Sequence, residues 1–598
     1  MSTKHFFSST DGVVKKALNS LVARNPNLQH DEDNRVVFSK THDSSKVTLI
    51  SGGGSGHEPA WSGYVGDGML TAAVAGDVFA SPSTKQIMSA IKNVPSKNGI
   101  ILGITNYTGD MLHFGLAREK GLSMGYNIKV VSFTDDAALG RKKSELVGRR
   151  GLAGNILVIK LAGAASEKNW SFERCLQLGD LGNANLVTIG TSLDHCHIPG
   201  RAHHQSIPED ACVLGMGVHN EPGLRTITPM PPPEEIVKEM LLYLLDPKDT
   251  DRAFVKFDPS DDVAMLINNL GGLSNLELEA LTNIVETQLK NDWNLAPKRI
   301  YVGTFETSLN GPGFSVTLGN LSSIARGLNM TSAEIFELLD APTTAPAWPK
   351  NGYGNIEKRQ ELNVAKGEET ETQSEGPILS NPQILHNALH SACTAALNAE
   401  PLITKYDIQM GDGDCGEAVA GLCNALLAKL SPSAPPSNQL FTPNSTLFAS
   451  LDSIASSVED VGGSLGAILA ILLAAFANTL RRNLASPSSS SSSTTPDAAA
   501  VGRALGPALD NLKQYTGARV GDRTVMDALI PFCDEMGRSA ELGAAVAAAE
   551  DGARDTAGMR PRFGRATYVG DRAEGGEMPP DPGAYAAAVF LRGLADGL

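Results

Sequence analysis

Three aspartates, Asp407, Asp412 and Asp414, fall within eight residues of one another in YDIQMGDGDCG, Tyr406–Gly416, with Gly411, Gly413 and Gly416 alongside. Carboxylates that close repel one another unless a cation sits among them. An all-oxygen donor set suits a hard ion such as Mg²⁺, which keeps some of its waters and bridges to substrate phosphates. The glycines let the backbone turn sharply and approach a bound group. A solvated acidic turn produces the same string, so spacing alone leaves both readings open. A calcium loop fits less well, because no glutamate stands at its closing position.

Two histidines and a fourth aspartate stand where strands deliver residues into turns. Lys46–Ile50 (KVTLI) is a β-rich run that ends in SGGGSGHEP, Ser51–Pro59. A strand feeding a glycine-rich loop is expected at the ligand edge of an α/β sheet. The string is neither GxGxxG nor a Walker loop, so no nucleotide is implied there. His57 is expected as an exposed imidazole beside backbone amides, either with a chemical role or as a plain turn histidine. Gly99–Ile104 runs into TNYTGD and places Asp110 at a strand's carboxyl end, where catalytic groups collect. Asp110 is equally suited to cap the helix that follows, MLHFGLAREK. After the strand Cys212–Met216, GMGVHNEPG carries His219 into a glycine-lined turn. A histidine there can be a base, a metal ligand or a nucleophile toward a carbonyl. HCHIPGRAHH, His195–His204, matches no zinc spacing and is interrupted by Pro-Gly.

The elements that hold these residues can be read coarsely. A chain of 598 residues exceeds one core and implies several domains. Strand-like runs at Gly99–Ile104, Ile128–Phe133 and Ile156–Leu161 alternate with helical patterns such as Leu112–Gly121, which predicts a parallel α/β sheet. A second α/β unit starts near Leu186 and takes in Arg299–Ser315 and DAPTTAPAWP, Asp340–Pro349. The α/β part is therefore expected over 1–350, in two lobes of about 1–185 and 186–350. Residues 351–380 turn polar and read as a linker. From 381 to 598 only helical patterns remain, at Gln383–Glu400, Ala418–Leu430 and Leu465–Leu480. The tract 486–500, SPSSSSSSTTPDAAA, reads as a disordered loop. The apolar stretch Leu465–Ala477 is too short to span a bilayer and is expected as a buried helix. A formal charge of −16 disfavours nucleic acid as a partner. Seven scattered cysteines without a CxxC pair, and no signal-like N-terminus, point to a reducing, cytoplasmic setting without membrane attachment.

Taken together and in this order, GGGSGHEP, NYTGD, GMGVHNEPG, DAPTTAPAWP, DIQMGDGDCG, GARVGDRTVMDAL and GRATYVG resemble the single-chain, ATP-dependent dihydroxyacetone (glycerone) kinases, over nearly the whole chain. The resemblance implies an N-terminal α/β domain that binds dihydroxyacetone and a C-terminal eight-helix barrel that carries ATP. It implies that His219 holds the ketone covalently as a hemiaminal, that Asp110 takes the hydroxyl proton, and that His57 hydrogen-bonds the substrate. Gly54, Ser55 and Gly56 would line the same pocket, with Thr105 where many relatives have lysine. Asp407, Asp412 and Asp414 would hold two Mg²⁺ ions on the ATP phosphates. Gly413 and Cys415 beside them, Gly462, Gly463, Ser464 and Leu465, Arg523 and Thr524, and Asp581, Pro582 and Gly583 would lie near the nucleotide. GGSLGAILAILL departs from the family in lacking a second small residue and a tyrosine after the glycines.

The function so implied is phosphorylation of dihydroxyacetone by ATP, with D-glyceraldehyde as a second substrate, in a homodimer. Two other functions fit the same resemblance: cyclising cleavage of FAD on the helical domain with a divalent ion, and a non-catalytic triose-sensing scaffold.

Overall fold

The computed structural model describes residues 4–202, 205–349, 376–435, 439–484, 496–563 and 578–598. The chain divides into two compact units, Met1–Asn363 and Val364–Leu598. Most of the expected linker (351–375), most of the serine-rich tract (486–495) and the GRATYVG motif lie outside the described residues. The remaining ends of those segments are structured. Leu379 donates its N–H to Ser445 O, so 376–380 belongs to the helical unit. Asp497 caps a helix that starts at Ala498, accepting from Ala500 N at 2.7 Å, so the expected loop ends earlier than its composition suggests.

Among the described residues, the first unit contains two six-stranded sheets. The first holds β1 (Leu28–Asp31), β2 (Val36–Ser39), β3 (Thr48–Ser55), β4 (Ala72–Val78), β5 (Ile100–Thr105) and β6 (Ile128–Phe133), in the order β1-β2-β4-β3-β5-β6. Its β4-β3-β5-β6 core is parallel, as expected, but β1 and β2 pair antiparallel at one edge. The second holds β7 (Leu186–Ser192), β8 (Cys212–Leu214), β9 (Arg225–Ile227), β10 (Val263–Asn269), β11 (Arg299–Gly303) and β12 (Gly313–Asn320). There β10 and β11 are parallel and the other described pairs are antiparallel.

Two local readings also change. Ile156–Leu161 is not a strand but lies within a helix, Asn155–Glu167, in which twelve of thirteen residues are buried. A helix buried on every side has no polar stripe, so its sequence is an apolar run, broken here by Lys160 whose Nζ donates to Leu338 O, that periodicity cannot separate from a buried strand. Residues from the first sheet (Leu49, Ala73, Val131), this helix (Leu157, Leu161) and the second sheet (Leu186, Leu266, Tyr301) form one core, so the two lobes share their interior. The glycines 52–54 are likewise not loop but strand. β3 continues through Ser55, with an irregularity between Gly53 and Ser55. A Cβ at Gly52 would sit 2.3 Å from Val74 O, and one at Gly53 would sit 2.5 Å from the Trp61 ring. Glycine is required there by close approach across the sheet.

The α-helices among the described residues of the first unit are α1 (Val13–Arg24), α2 (Thr84–Asn93), α3 (Thr108–Ser123), α4 (the buried Asn155–Glu167), α5 (Phe172–Ala184), α6 (Pro233–Leu245), α7 (Asn275–Trp293), α8 (Leu321–Gly327) and α9 (Ser332–Leu339). α2 and α3 bury Ile87, Ile91, Phe114 and Ala117 against Ile50, Val74, Ile100 and Ile104 of the first sheet. α6 and α7 bury Val237, Leu241, Leu278 and Val285 against Ile189, Met265, Ile267 and Val316 of the second.

The described part of the second unit forms α10 (Pro382–Met410), α11 (Cys415–Leu430), α12 (Leu447–Glu459), α13 (Gly463–Leu484), α14 (Ala498–Leu512), α15 (Met526–Ser539), α16 (Leu542–Asp555) and α17 (Pro582–Asp596). Each packs on the next, and α17 returns to pack on α10. A cavity of about 630 Å³ opens among them, lined almost wholly by apolar side chains that include Leu389, Leu426, Leu469, Phe476, Leu505 and Phe590. α13 has 22 residues, longer than the apolar stretch that marked it, and its length and composition alone would suffice to cross a bilayer. It packs between α12 and α14 and turns part of its apolar surface to the cavity, so only a third of its most apolar window is buried.

Candidate functional site

In the first unit, strand ends converge on a pair of histidines. His57 follows β3, and His219 lies in the turn after β8; their Nε2 atoms are 3.0 Å apart. His57 is 2% exposed, not the open imidazole expected, because the Phe79 ring stacks on it at 5.0 Å and Trp61 meets its edge. Its Nδ1 lies 2.7 Å from Thr307 O, and a carbonyl can only accept, so Nδ1 carries the proton and Nε2 presents a lone pair. Burial, with the neighbouring His219, pushes the His57 imidazole down to about 3. The ring is therefore neutral at physiological pH.

His219 is boxed by aromatic edges, with Phe79 at 5.0 Å and Tyr107 at 4.7 Å. Its turn is pinned from several sides. Asn220, in the left-handed region at φ 64°, exchanges hydrogen bonds with both backbone groups of Cys196. Ser308 donates to Val218 O, and Arg150 donates to Gly215 O while paired with buried Asp136 at 2.7 Å. Glu221 clasps His219 twice, accepting from its backbone N–H at 2.9 Å and lying 3.1 Å from ring Nδ1. Burial would raise the Glu221 carboxyl, but the His219 hydrogen bonds and charge outweigh it and hold the group at about 2.

Asp110 sits in the first turn of α3 and is 5% exposed. It is not the helix cap; Tyr107 occupies that position and Asp110 lies three residues inside. Burial pushes its carboxyl up to about 6, against a hydrogen bond from Ser81 and the charge of His219. Its Oδ1 is buried and unpartnered among the described residues, so it can accept one more proton donor. Ser55 uses its hydroxyl on Gly76 O, and Gly56, at φ 100°, packs its Cα against Phe79 where no side chain would fit. Gly54 lies as close to the Phe79–Ala80 backbone, and Thr105 ends β5 buried against Gly151. The structure thus brings His57, Asp110 and His219 together with the glycine segment. Phe79, Glu221 and Thr307 were not marked by sequence. Glu221 carried a signal, being two residues from a histidine in a tight turn.

In the second unit, Asp407 is on the last turn of α10, while Asp412 and Asp414 are in the link to α11. One carboxylate oxygen from each lies within 4.8 Å of the others; Asp407 is buried and the other two are exposed. Asp407 Oδ2 also accepts from Cys415 N at 2.9 Å. Oxygen-only donors this close, at a surface, fit a hard divalent cation that retains water. Burial, then the charges of Asp407, Asp581 and Asp414, pushes the Cys415 thiol up to about 12, which places Asp581 in the same group. Asp581 caps α17 through Ala584 N, and burial raises its carboxyl to about 6 with Arg523 opposing.

Arg523 is 1% exposed at φ 61°, and donates to Pro579 O at 2.6 Å; its Nε and Nη1 have no partner among the described residues. A buried guanidinium with unused donors suits an anion. The loop that presents it is tied by fully buried Asp527, which accepts from Gly521 N at 2.6 Å and Thr524 N at 2.8 Å. Gly463, at φ 78°, starts α13 with open space at its Cα; Gly462 is equally uncovered and Ser464 follows in the first turn. A Cβ on Gly583, beside Pro582, would lie 3.5 Å from Val525 and 3.8 Å from Leu465, so the starts of α13 and α17 meet the Arg523 loop. Gly413, at φ 85°, lies between the two exposed aspartates.

Comparison with known proteins agrees with both halves. Residues 19–347 match the Dak1 domain and residues 409–596 the DAK2 domain. The chain is 41% identical to a dihydroxyacetone kinase of Pichia angusta, covering 100% of this chain and 98% of that protein. It is 35% identical to human triokinase/FMN cyclase, with 100% of both chains covered. Among solved structures, the dihydroxyacetone kinase from C. freundii in complex with AMP-PNP and Mg²⁺ superposes with a TM-score of 0.61 at 28% identity, covering 100% of each chain. The chain therefore belongs to the dihydroxyacetone kinase family, in the form that carries Dak1 and DAK2 domains on one polypeptide.

Proposed function

We propose that this chain transfers the γ-phosphate of ATP to dihydroxyacetone, with the triose bonded to His219. The observation that carries the proposal is the His57–His219–Asp110 grouping. One imidazole nitrogen faces a neutral base, and a carboxyl with a spare acceptor stands nearby. In the proposed step, His219 Nε2 bonds to the ketone carbon, the C=O π bond breaks, and the Nε2 proton ends on the carbonyl oxygen. Covalent capture selects ketones and aldehydes against glycerol, which has no carbonyl, and holds the terminal hydroxyl in place. Asp110 takes that hydroxyl's proton as its oxygen attacks the phosphate. Asp407, Asp412 and Asp414 would hold Mg²⁺, two ions in this reading, and Arg523 with the Gly462–Ser464 turn would receive phosphate oxygens. Bound Mg²⁺ supplies charge neutralisation on the phosphates.

The eight helices packed neighbour to neighbour support an eight-helix barrel as the nucleotide domain. D-Glyceraldehyde as second substrate, a homodimer and a cytoplasmic setting belong to the same proposal; seven cysteines without a disulfide accord with that compartment. A second activity, nucleotide cyclisation on the helical unit, is favoured by the full-length likeness to triokinase/FMN cyclase. ADP release with Mg-ATP, measured for dihydroxyacetone, glyceraldehyde and glycerol, tests the kinase reading. Turnover on the trioses, absent with glycerol and lost in His219→Ala, is expected. No turnover on either triose by folded protein would overturn it. FAD cleavage that survives His219→Ala would place the second activity on the other unit.

A further inference from the structure

The hydrogen bonds around His219 account for its protons one by one. His57 donates through Nδ1 to Thr307 O, so its Nε2 can only accept, and the proton in the 3.0 Å Nε2–Nε2 contact belongs to His219. On the other side, His219 Nδ1 faces Glu221 Oε1 at 3.1 Å, and a carboxylate is acceptor-only, so Nδ1 carries a proton as well. Each ring nitrogen of His219 therefore faces an acceptor, the Glu221 carboxylate at Nδ1 and the His57 lone pair at Nε2. The remaining charged and titratable neighbours are Asp110 and Tyr107 from the α3 end, and Arg150, whose charge acts on Glu221. None of these is hydrogen-bonded to Nδ1 in the structure.

With Nδ1–H kept against Glu221, bond formation to a ketone leaves the ring cationic. Nε2 exchanges its proton for carbon, the oxygen gains that proton, and the product is a hemiaminal on an imidazole that still bears Nδ1–H and a positive charge. The neutral alternative would leave a bare Nδ1 lone pair against the Glu221 carboxylate, which is repulsive. We propose that Glu221 is a positioning residue that holds the Nδ1 proton of His219 and thereby keeps the triose adduct in its cationic form. The proposal rests on covalent capture at His219. Glu221 also fixes the ring plane through its second bond to the His219 backbone N–H.

The test uses the full chain with ¹⁵N-labelled histidine and ¹³C-dihydroxyacetone, for wild type, Glu221→Gln, Glu221→Asp and His219→Ala. In wild type the adduct is expected with Nδ1 protonated across the neutral range and above it. In Glu221→Gln the adduct should lose the Nδ1 proton at lower pH, and KM for dihydroxyacetone should rise about tenfold or more, the scale of a lost charged hydrogen bond. Glu221→Asp should restore part of the wild-type titration, which a mere packing role would not predict. An adduct in Glu221→Gln that titrates as wild type with unchanged KM overturns the role of Glu221 alone. No adduct in wild type, or one that persists in His219→Ala, overturns covalent capture and the proposal with it.

Discussion

At the scale of single residues, burial sets up the chemistry and neighbours decide its sign. His57 and Asp110 are both buried, and both are thereby driven toward their neutral forms: the imidazole down to about 3 and the carboxyl up to about 6. A buried base that must be ionised to act should show in the pH profile. We expect kcat/KM for dihydroxyacetone to rise with pH through about 6. In Asp110→Asn that limb should vanish and kcat fall by roughly 10²–10⁴-fold. The stability effect has the opposite slope. A carboxyl whose folded value is raised contributes fully below its unfolded value of 3.8, and that contribution is lost as pH rises through about 6. Asp110→Asn should therefore flatten the fall in stability between those limits, as read by urea unfolding at several pH values. A profile flat through 6 in wild type would contradict the assignment.

At the scale of elements, the sites are built from strand ends and helix starts, each tied by a residue that touches no substrate in the proposed reaction. Asp527 is the clearest case. It stands in the first turn of α15 and accepts two backbone N–H groups from the loop that carries Arg523, itself in a left-handed conformation. Asp527→Ala would strand two half-buried donors, Gly521 N and Thr524 N, and we expect a loss of about 1–2 kcal/mol in unfolding free energy. Nucleotide affinity should fall too, because the guanidinium would no longer be presented, while dihydroxyacetone capture should be unchanged. Calorimetric titration with Mg-AMP-PNP and ¹³C-dihydroxyacetone spectra would separate the two. Equal loss of both would mean that Asp527 acts only through global stability.

At the scale of the whole molecule, the two units have separate cores and separate chemistry. The histidine pocket belongs to the first and the carboxylate cluster to the second. Removal of divalent cations with a chelator should abolish phosphate transfer and leave the His219 adduct intact. Asp412→Asn with Asp414→Asn should do the same at saturating Mg²⁺. Hydrogen exchange should show protection by Mg-AMP-PNP in the starts of α11, α13 and α17, and protection by dihydroxyacetone around His57 and His219. Loss of the adduct on chelation would show that cation binding governs the triose pocket as well.

What the amino-acid sequence determined by itself is what local chemistry dictates. The acidic GDGD turn, the glycine-flanked histidine of GMGVHNEPG and the aspartate of NYTGD were legible because reactive side chains stood among residues chosen for backbone freedom. In the second unit the helices at Gln383–Glu400 and Ala418–Leu430 were legible from helical spacing and the one at Leu465–Leu480 from its apolar run. The same signals failed where tertiary packing supplies the environment. α4 was misread because burial on all sides erases periodicity, and glycines 52–54 because close approach across a sheet and a flexible loop use the same residue. The β2–β4 pairing of the first sheet and the β7–β12 and β10–β12 pairings of the second join distant segments and leave no local trace. Only the fold decided that Phe79 would cover His57, that Thr307 would fix its tautomer and that the two Nε2 atoms would meet. Those contacts join residues more than 20 and up to 250 positions apart, and protonation answers to distance in space rather than along the chain.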